Sequence, residues 1–329
     1  MPSSQLPLVL ITNTVPPEAL APLAGIARVI MGPANGDLTP RAEVLRLAPD
    51  LTGIINQAEL RVDAELLALA PKLRIVANIA IGVDNLDLNL MARHGVYATN
   101  TPHAFVDATA DLTLGMMLAL ARRLLDADRY VRSGAWTNFQ PGAWDGALLG
   151  GKTLGIVGYG SIGQAVERRA RAFGMRVVHY RRSTSTAPGS VSLDQLLRES
   201  DFVSLHMPLN ADSQRLFTAE RLARMKRGAY LINASRGRVV DEAALVAALQ
   251  SGHLAGAGLD VFENEPQVHP GLLGRNDVVL TPHIAGGTRE SRHNARHFCA
   301  ENVARVLSGR PPVNALNQPA LPAPPVSPG

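Results

Sequence analysis

Short apolar runs rich in Val, Ile and Leu alternate with longer segments of helical periodicity along almost the whole of this chain. That alternation is the sequence sign of strand-helix-strand units, and parallel strands joined by crossover helices demand an α/β fold. The runs fall into two sets. The first comprises "LVLIT" (Leu8 to Thr12), "ARVIM" (Ala27 to Met31), "LTGIIN" (Leu51 to Asn56), "LRIVANI" (Leu73 to Ile79) and "VYAT" (Val96 to Thr99). The second comprises "TLGIVG" (Thr153 to Gly158), "RVVHY" (Arg176 to Tyr180), "FVSLH" (Phe202 to His206), "AYLIN" (Ala229 to Asn233), "AGAGLD" (Ala255 to Asp260) and "VVLTP" (Val278 to Pro282). Each set suffices for one doubly wound domain, and 329 residues is an ordinary length for two.

Between the sets lies an Ala- and Leu-rich segment from Ala104 to about Gly134, predicted to be helical and largely buried, in part against another subunit. A further helix is predicted over Arg289 to Leu307. The tail "NQPALPAPPVSPG", from Asn317, is Pro-rich and predicted to be disordered.

Composition excludes several classes. No apolar run approaches the roughly 18 residues of a membrane span, so a soluble chain is expected. The amino terminus lacks a basic region and a cleavage pattern and reads as a first strand, not a signal peptide. A single cysteine, Cys299, fits a reducing cytoplasm. The net charge of +4 is small and its arginines are scattered, which argues against nucleic acid as a partner. No cluster of Cys and His at ligand spacing suggests a metal.

"GIVGYGSIG" places Gly158, Gly160 and Gly163 in a Gly-x-Gly-x-x-Gly pattern, after a predicted strand and at the start of a predicted helix. There the backbone can approach a dinucleotide pyrophosphate at a helix amino terminus, with Ser161 and Ile162 in its first turn. The next strand ends at Tyr180, 22 residues past Gly158, where an acid would bind both ribose hydroxyls of NAD. Arg181, Arg182 and Ser183 stand there instead. Two guanidinium groups beside a hydroxyl suit a 2'-phosphate, so NADPH is the expected cofactor, with NADH possible. A solvated basic surface run is the plainer alternative.

Three later segments, "NASRGRVVDEAAL", "LDVFENEP" and "LTPHIAGGT", each follow a predicted strand. Carboxyl ends of parallel strands converge, so Arg236, Glu265 and His283 can meet. Together they suit reduction of a 2-oxo acid. A protonated His283 supplies the carbonyl proton as hydride arrives, Glu265 favours the imidazolium, and Arg236 binds the carboxylate and polarises the carbonyl. Taken singly, each has an ordinary surface or capping explanation.

With "ANIAIGVDNLD", "TPHAFVDATADLTLGMML", "GYGSIG", "LHMPLN", "LINASRGRVVDEAALVAAL", "GAGLDVFENEP" and "TPHIAGGT" in this order, residues 50 to 305 resemble the D-isomer-specific 2-hydroxyacid dehydrogenases, most closely the glyoxylate/hydroxypyruvate reductase branch. The resemblance implies a flavodoxin-like substrate domain and a Rossmann-like cofactor domain with a cleft between them. It further implies a discontinuous substrate domain, 1–103 plus 292–329, around a cofactor domain of 104–291 that carries a dimerisation segment. By the same resemblance Arg236 binds the substrate carboxylate, Glu265 partners the imidazole and His283 is the acid-base. Ile81 and Gly82 offer backbone amides to the substrate, Asp260 lies near the nicotinamide, and His206, Pro208, Ala234 and Gly286 line the cofactor channel. The resemblance also implies a homodimer in which Trp136 reaches the neighbour's site, although an ordinary interface anchor is an equal reading.

Small acids such as glyoxylate and hydroxypyruvate fit best, because Ile81 is apolar and Asn56 and Gln57 are neutral. Other 2-oxo acids, 2-ketogluconate among them, stay open. A dinucleotide-sensing scaffold like the C-terminal binding proteins is the alternative from another class, and Arg181 and Arg182 argue against it.

Overall fold

A computed structural model of the chain describes residues 6–182 and 187–319. The chain divides into two compact units, Met1–Phe105 with Thr288–Gly329, and Val106–Gly287. Each is built on its own parallel sheet.

The first unit runs β1 (Leu8–Ile11), β2 (Arg28–Met31), α1 (Arg41–Leu47), β3 (Leu51–Asn56), α2 (Ala64–Leu69), β4 (Ile75–Asn78), α3 (Leu88–Arg93) and β5 (Tyr97–Thr99). Its strands pair in the order β2-β1-β3-β4-β5, the doubly wound order in which the chain reverses direction between β1 and β3. β1 and β4 are buried along their whole length, as unbroken apolar strands with cover on both faces must be. One layer on this sheet comes from the far end of the chain, the helix Arg289–Leu307.

The second unit begins with α4 (Val106–Ala121) and α5 (Leu124–Arg132). It continues with β6 (Thr153–Val157), α6 (Ser161–Ala172), β7 (Arg176–Tyr180), α7 (Leu193–Glu199), β8 (Phe202–Leu205), α8 (Ala219–Arg224), β9 (Ala229–Asn233), α9 (Glu242–Gln250), β10 (Leu254–Leu259) and β11 (Val278–Leu280). The sheet order is β11-β10-β9-β8-β6-β7, with the switch point between β6 and β8. Leu154, Ile156, Val203, Leu205 and Leu231 are fully buried in its core. Each such side chain contributes roughly 1.5–3 kcal/mol by leaving water. The chain then enters α10 (Arg289–Leu307), which Thr288 caps by accepting the Ser291 N–H at 3.1 Å, and packs Ala295, Cys299 and Val303 against the first sheet.

The Ala104 to Gly134 segment is helical as expected, but in two helices, because Arg123 takes the left-handed conformation (φ 52°) and breaks the ladder. Within the single chain α4 buries Ala110, Thr113, Met116 and Met117 and packs on α6, whereas α5 buries no residue. One expectation needs correction. The tail expected to be disordered from Asn317 is anchored at that residue. Asn317 accepts the Ala98 N–H at 2.9 Å and donates to the carbonyls of Leu88 and Val96. Residues 320–329 lie outside the described part.

Candidate active site

β6 delivers the chain to Gly158, whose φ of 100° only glycine adopts freely. A Cβ there would also lie 2.5 Å from the His206 carbonyl oxygen, and one at Gly163 would lie 2.5 Å from that of Gly158. The first and third glycines therefore let the loop close on β8 and α6 close on the loop. Around Gly160, at the amino-terminal cap of α6, space is open: a Cβ meets nothing within 4 Å. Helix amino termini leave their first N–H groups without intrahelical partners, so Ser161, which is exposed, and the half-buried Ile162 begin a site suited to a pyrophosphate. The loop fits the group that its motif implies.

Gly158 donates its N–H to the Tyr180 carbonyl at 2.9 Å, tying the glycine loop to the last residue of β7. Arg181 follows at once. Both Arg181 and Arg182 are exposed, and Arg182 forms an ion pair with the equally exposed Asp212. Ser183 lies outside the described residues. Within the loop, Tyr159 stacks on buried His179 at 3.6 Å and donates its hydroxyl to Glu167. Burial and that carboxylate push the phenol up to about 12.

After β8, His206 bonds Ser204 Oγ through Nε2 at 2.7 Å, while its Nδ1 is buried without a partner among the described residues. Burial lowers the ring to about 4, so it is neutral. Pro208 is exposed and Ala234, just past β9, is half-buried.

Beyond β9, buried Asn233 builds the turn that presents Arg236. Its Oδ1 accepts from Ser235 N and Oγ, and its Nδ2 donates to the Arg236 carbonyl at 3.0 Å. The Arg236 guanidinium donates to the Ser235 carbonyl at 2.8 Å. Glu265 accepts the Phe262 N–H through Oε1 at 3.0 Å and meets His283 Nδ1 through Oε2 at 2.8 Å. Burial acts to raise the Glu265 carboxyl, but the His283 bond, the Phe262 N–H and the field of Arg236 outweigh it and hold the group below its usual range. Arg236, Glu265 and His283 thus share one electrostatic environment.

His283 is in the left-handed region (φ 53°), a strained conformation for histidine, and Asp260 holds it there. The Asp260 carbonyl accepts the His283 N–H at 2.9 Å. Its fully buried carboxylate accepts from Thr281 Oγ1 (2.6 Å), Ile284 N (2.8 Å) and Ala285 N (2.7 Å). Asp260, expected beside the nicotinamide, spends both oxygens on the loop that carries the histidine. Gly286 follows that loop and is half-buried.

Ile81 and Gly82 lie in the other unit, in the loop after β4. Their carbonyls accept from Asn100 Nδ2 (2.7 Å) and Asn78 Nδ2 (3.4 Å). Trp136, after α5, is 57% exposed. Asn233 and Thr281 were missed by sequence reasoning: polar residues at strand ends are common, and what marks these two is the set of bonds that only the fold supplies. Among the described residues, no group of three or more His, Cys, Asp or Glu could hold a metal ion, and no helix is long and apolar enough to cross a membrane.

A parallel sheet with a phosphate-suited glycine loop at its switch point, and a His–Glu pair beside an arginine at neighbouring strand ends, defines a dinucleotide-dependent oxidoreductase. The family model described as "D-isomer specific 2-hydroxyacid dehydrogenase, NAD binding domain" matches residues 114–285. The glyoxylate reductase of Thermococcus kodakarensis is 42% identical over 322 residues, covering 95% of this chain and 96% of that protein. The crystal structure of the TT0316 protein from Thermus thermophilus superposes with a TM-score of 0.90 at 43% identity, covering 94% and 99% of the two chains. An NADPH-dependent glyoxylate/hydroxypyruvate reductase from Sinorhizobium meliloti, solved with NADP and malonate, gives 0.85 at 30% identity, covering 97% and 99%. The chain belongs to the D-isomer specific 2-hydroxyacid dehydrogenase family.

Proposed function

We propose that the protein reduces small 2-oxo acids, glyoxylate and hydroxypyruvate foremost, to D-2-hydroxy acids with a preference for NADPH. The observation that carries this reading is the His283–Glu265 contact of 2.8 Å in the field of Arg236, behind a glycine loop with open space at Gly160. When bound, the nicotinamide supplies the hydride. His283 Nε2 gives the proton to the carbonyl oxygen, and Glu265, bonded to Nδ1, fixes the ring's orientation. Arg236 neutralises the substrate carboxylate and polarises the adjacent carbonyl. Ile81 and Gly82, in the other unit, are assigned to substrate binding through their N–H groups, which donate to no acceptor among the described residues.

The NADPH preference rests on Arg181 and Arg182, at the end of a strand bonded to the glycine loop. It is supported by the NADP-bound relative from S. meliloti, as the choice of acids is by the glyoxylate reductases. Cofactor contacts are assigned to Gly158 through Gly163, with His206, Pro208, Ala234 and Gly286 along the channel. The unit Val106–Gly287 is assigned to the cofactor, and the other to the substrate. We also assign a cytoplasmic homodimer, whose interface is formed by the residues that α5 and the segment after it leave exposed: Leu124, Leu125, Val131, Trp136, Phe139 and Leu148. A panel of 2-oxo acids assayed with NADPH and NADH in parallel tests the proposal. Oxidation of NADPH by glyoxylate or hydroxypyruvate is expected, and no turnover of any 2-oxo acid with either cofactor would overturn it.

A further inference from the structure

We propose that Glu242 is a positioning residue for this reaction: its buried carboxylate holds the backbone where the chain enters the loop that carries Glu265 and thereby keeps Glu265 against His283. The inference rests on the functional reading above and adds a residue to it.

Glu242 is only 6% exposed and opens α9, directly after Asp241, which caps the helix by accepting the Ala244 N–H at 2.9 Å. A helix amino terminus favours an anion. Its carboxylate accepts the Glu263 N–H through Oε1 at 2.5 Å, and His269 lies beside it. Glu263 and His269 bracket Glu265, and between them the loop closes on itself through Gln267 N to the Asn264 carbonyl at 2.9 Å. One carboxylate therefore fixes the backbone two residues before Glu265, in a loop that is closed on itself.

The same segment is pressed on the loop from its other end. A Cβ at Gly237, next to Arg236, would lie 1.8 Å from the Phe262 carbonyl oxygen, so only glycine allows the approach. Phe262 is the residue whose N–H holds Glu265 Oε1. Residues 236–242 thus present Arg236 at one end and fasten the Glu265 loop along the rest.

The charged and titratable groups around Glu242 are Glu263 and His269 on the loop and Asp241 beside it. Arg215 reaches Glu263 Oε1 at 2.6 Å, and Arg238 donates to the Glu263 carbonyl at 3.3 Å. Burial pushes the Glu242 carboxyl up, and the Glu263 N–H opposes that shift. Burying an acid is costly unless hydrogen bonds compensate it, and here the compensating bond is the one that fixes the loop at Glu263.

The test is a mutant cycle on the full-length protein, with kcat and KM for glyoxylate reduction measured for each variant. Glu242→Ala is expected to lower kcat by about 10- to 100-fold, as small displacements of a catalytic group do, with the KM for NADPH changed less than about two-fold. Glu242→Gln, which keeps an acceptor for the Glu263 N–H, recovers most of the loss. In a Glu265→Gln background the Ala substitution adds little, since Glu242 acts through Glu265. Should Glu242→Ala fail to fold, Glu242→Asp, one methylene shorter, takes its place in the same cycle. A kcat within about two-fold of wild type in the folded variant, or full additivity with Glu265→Gln, overturns the proposal. If Glu265→Gln alone leaves kcat unchanged, the reading of the Glu265–His283 pair fails and this proposal falls with it.

Discussion

The carboxyl edge of the six-stranded sheet is built differently at its two ends. At β9, β10 and β11 the functional side chains are held by the protein itself: Asn233 turns the chain at Arg236, Phe262 and His283 hold Glu265, and Asp260 takes three bonds from the histidine loop. At β6 and β7 the backbone is equally fixed, with Gly158 bonded to Tyr180, but Arg181 and Arg182 are exposed, and Arg182 pairs with the exposed Asp212. The difference suits the two tasks proposed for them. Proton transfer gains from groups whose geometry is set before the substrate arrives. Choosing between two dinucleotides requires only charge that the ligand's own phosphate can organise.

The largest expected effect tests the first end. His283→Ala should lower kcat for 2-oxo acid reduction by about 10² to 10⁴-fold, the usual worth of a general acid. NADPH affinity, measured by fluorescence titration, should stay within about two-fold. Equal losses in turnover and cofactor affinity would break the division of labour between the two ends.

Much of this was legible in the sequence, for a physical reason. Strands such as Leu51–Asn56, Arg176–Tyr180 and Ala229–Asn233 end where the apolar runs end, because a strand covered on both faces has to be apolar throughout. Arg236, Glu265 and His283 were readable as a set because strand ends converge. The break at Arg123 was not readable, since nothing in "ALARRLLDAD" forbids a continuous helix. Nor were the tasks of Asp260 and Glu242: each bonds backbone amides 21 or more residues away, and backbone amides carry no residue identity. The anchoring of Asn317 was hidden for the same reason, beneath a Pro-rich composition that argues for disorder.

A second prediction concerns His206, which lies between the two ends and whose carbonyl packs against Gly158. The folded ring is held at about 4 by burial, against about 6.5 in the unfolded chain. Between these values the unfolded chain binds the extra proton, so stability falls as pH drops from about 6.5 to 4 and is unaffected above that window. The loss reaches up to about 3 kcal/mol. His206→Gln should flatten that part of the curve when urea unfolding is compared at pH 7.5 and 4.5. A variant that loses as much stability as the parent would mean that the ring is not buried in its neutral form.

The smallest effects belong to the arginine end and sharpen the comparison most. Replacing Arg181 and Arg182 together by Ala should weaken NADPH by about 10-fold or more, since charge-assisted bonds to a phosphate are lost, while NADH changes little. Equal losses for both cofactors would mean that the arginines do not read the 2'-phosphate. Asp212→Asn then separates the two arginines. Arg182 is drawn towards Asp212, and that exposed pair competes with the phosphate but is itself weak. Releasing it should tighten NADPH by only about two- to three-fold and leave NADH unmoved. A larger gain would show that the acid governs cofactor choice, and no gain would leave Arg181, bonded through Tyr180 to the glycine loop, as the residue that discriminates.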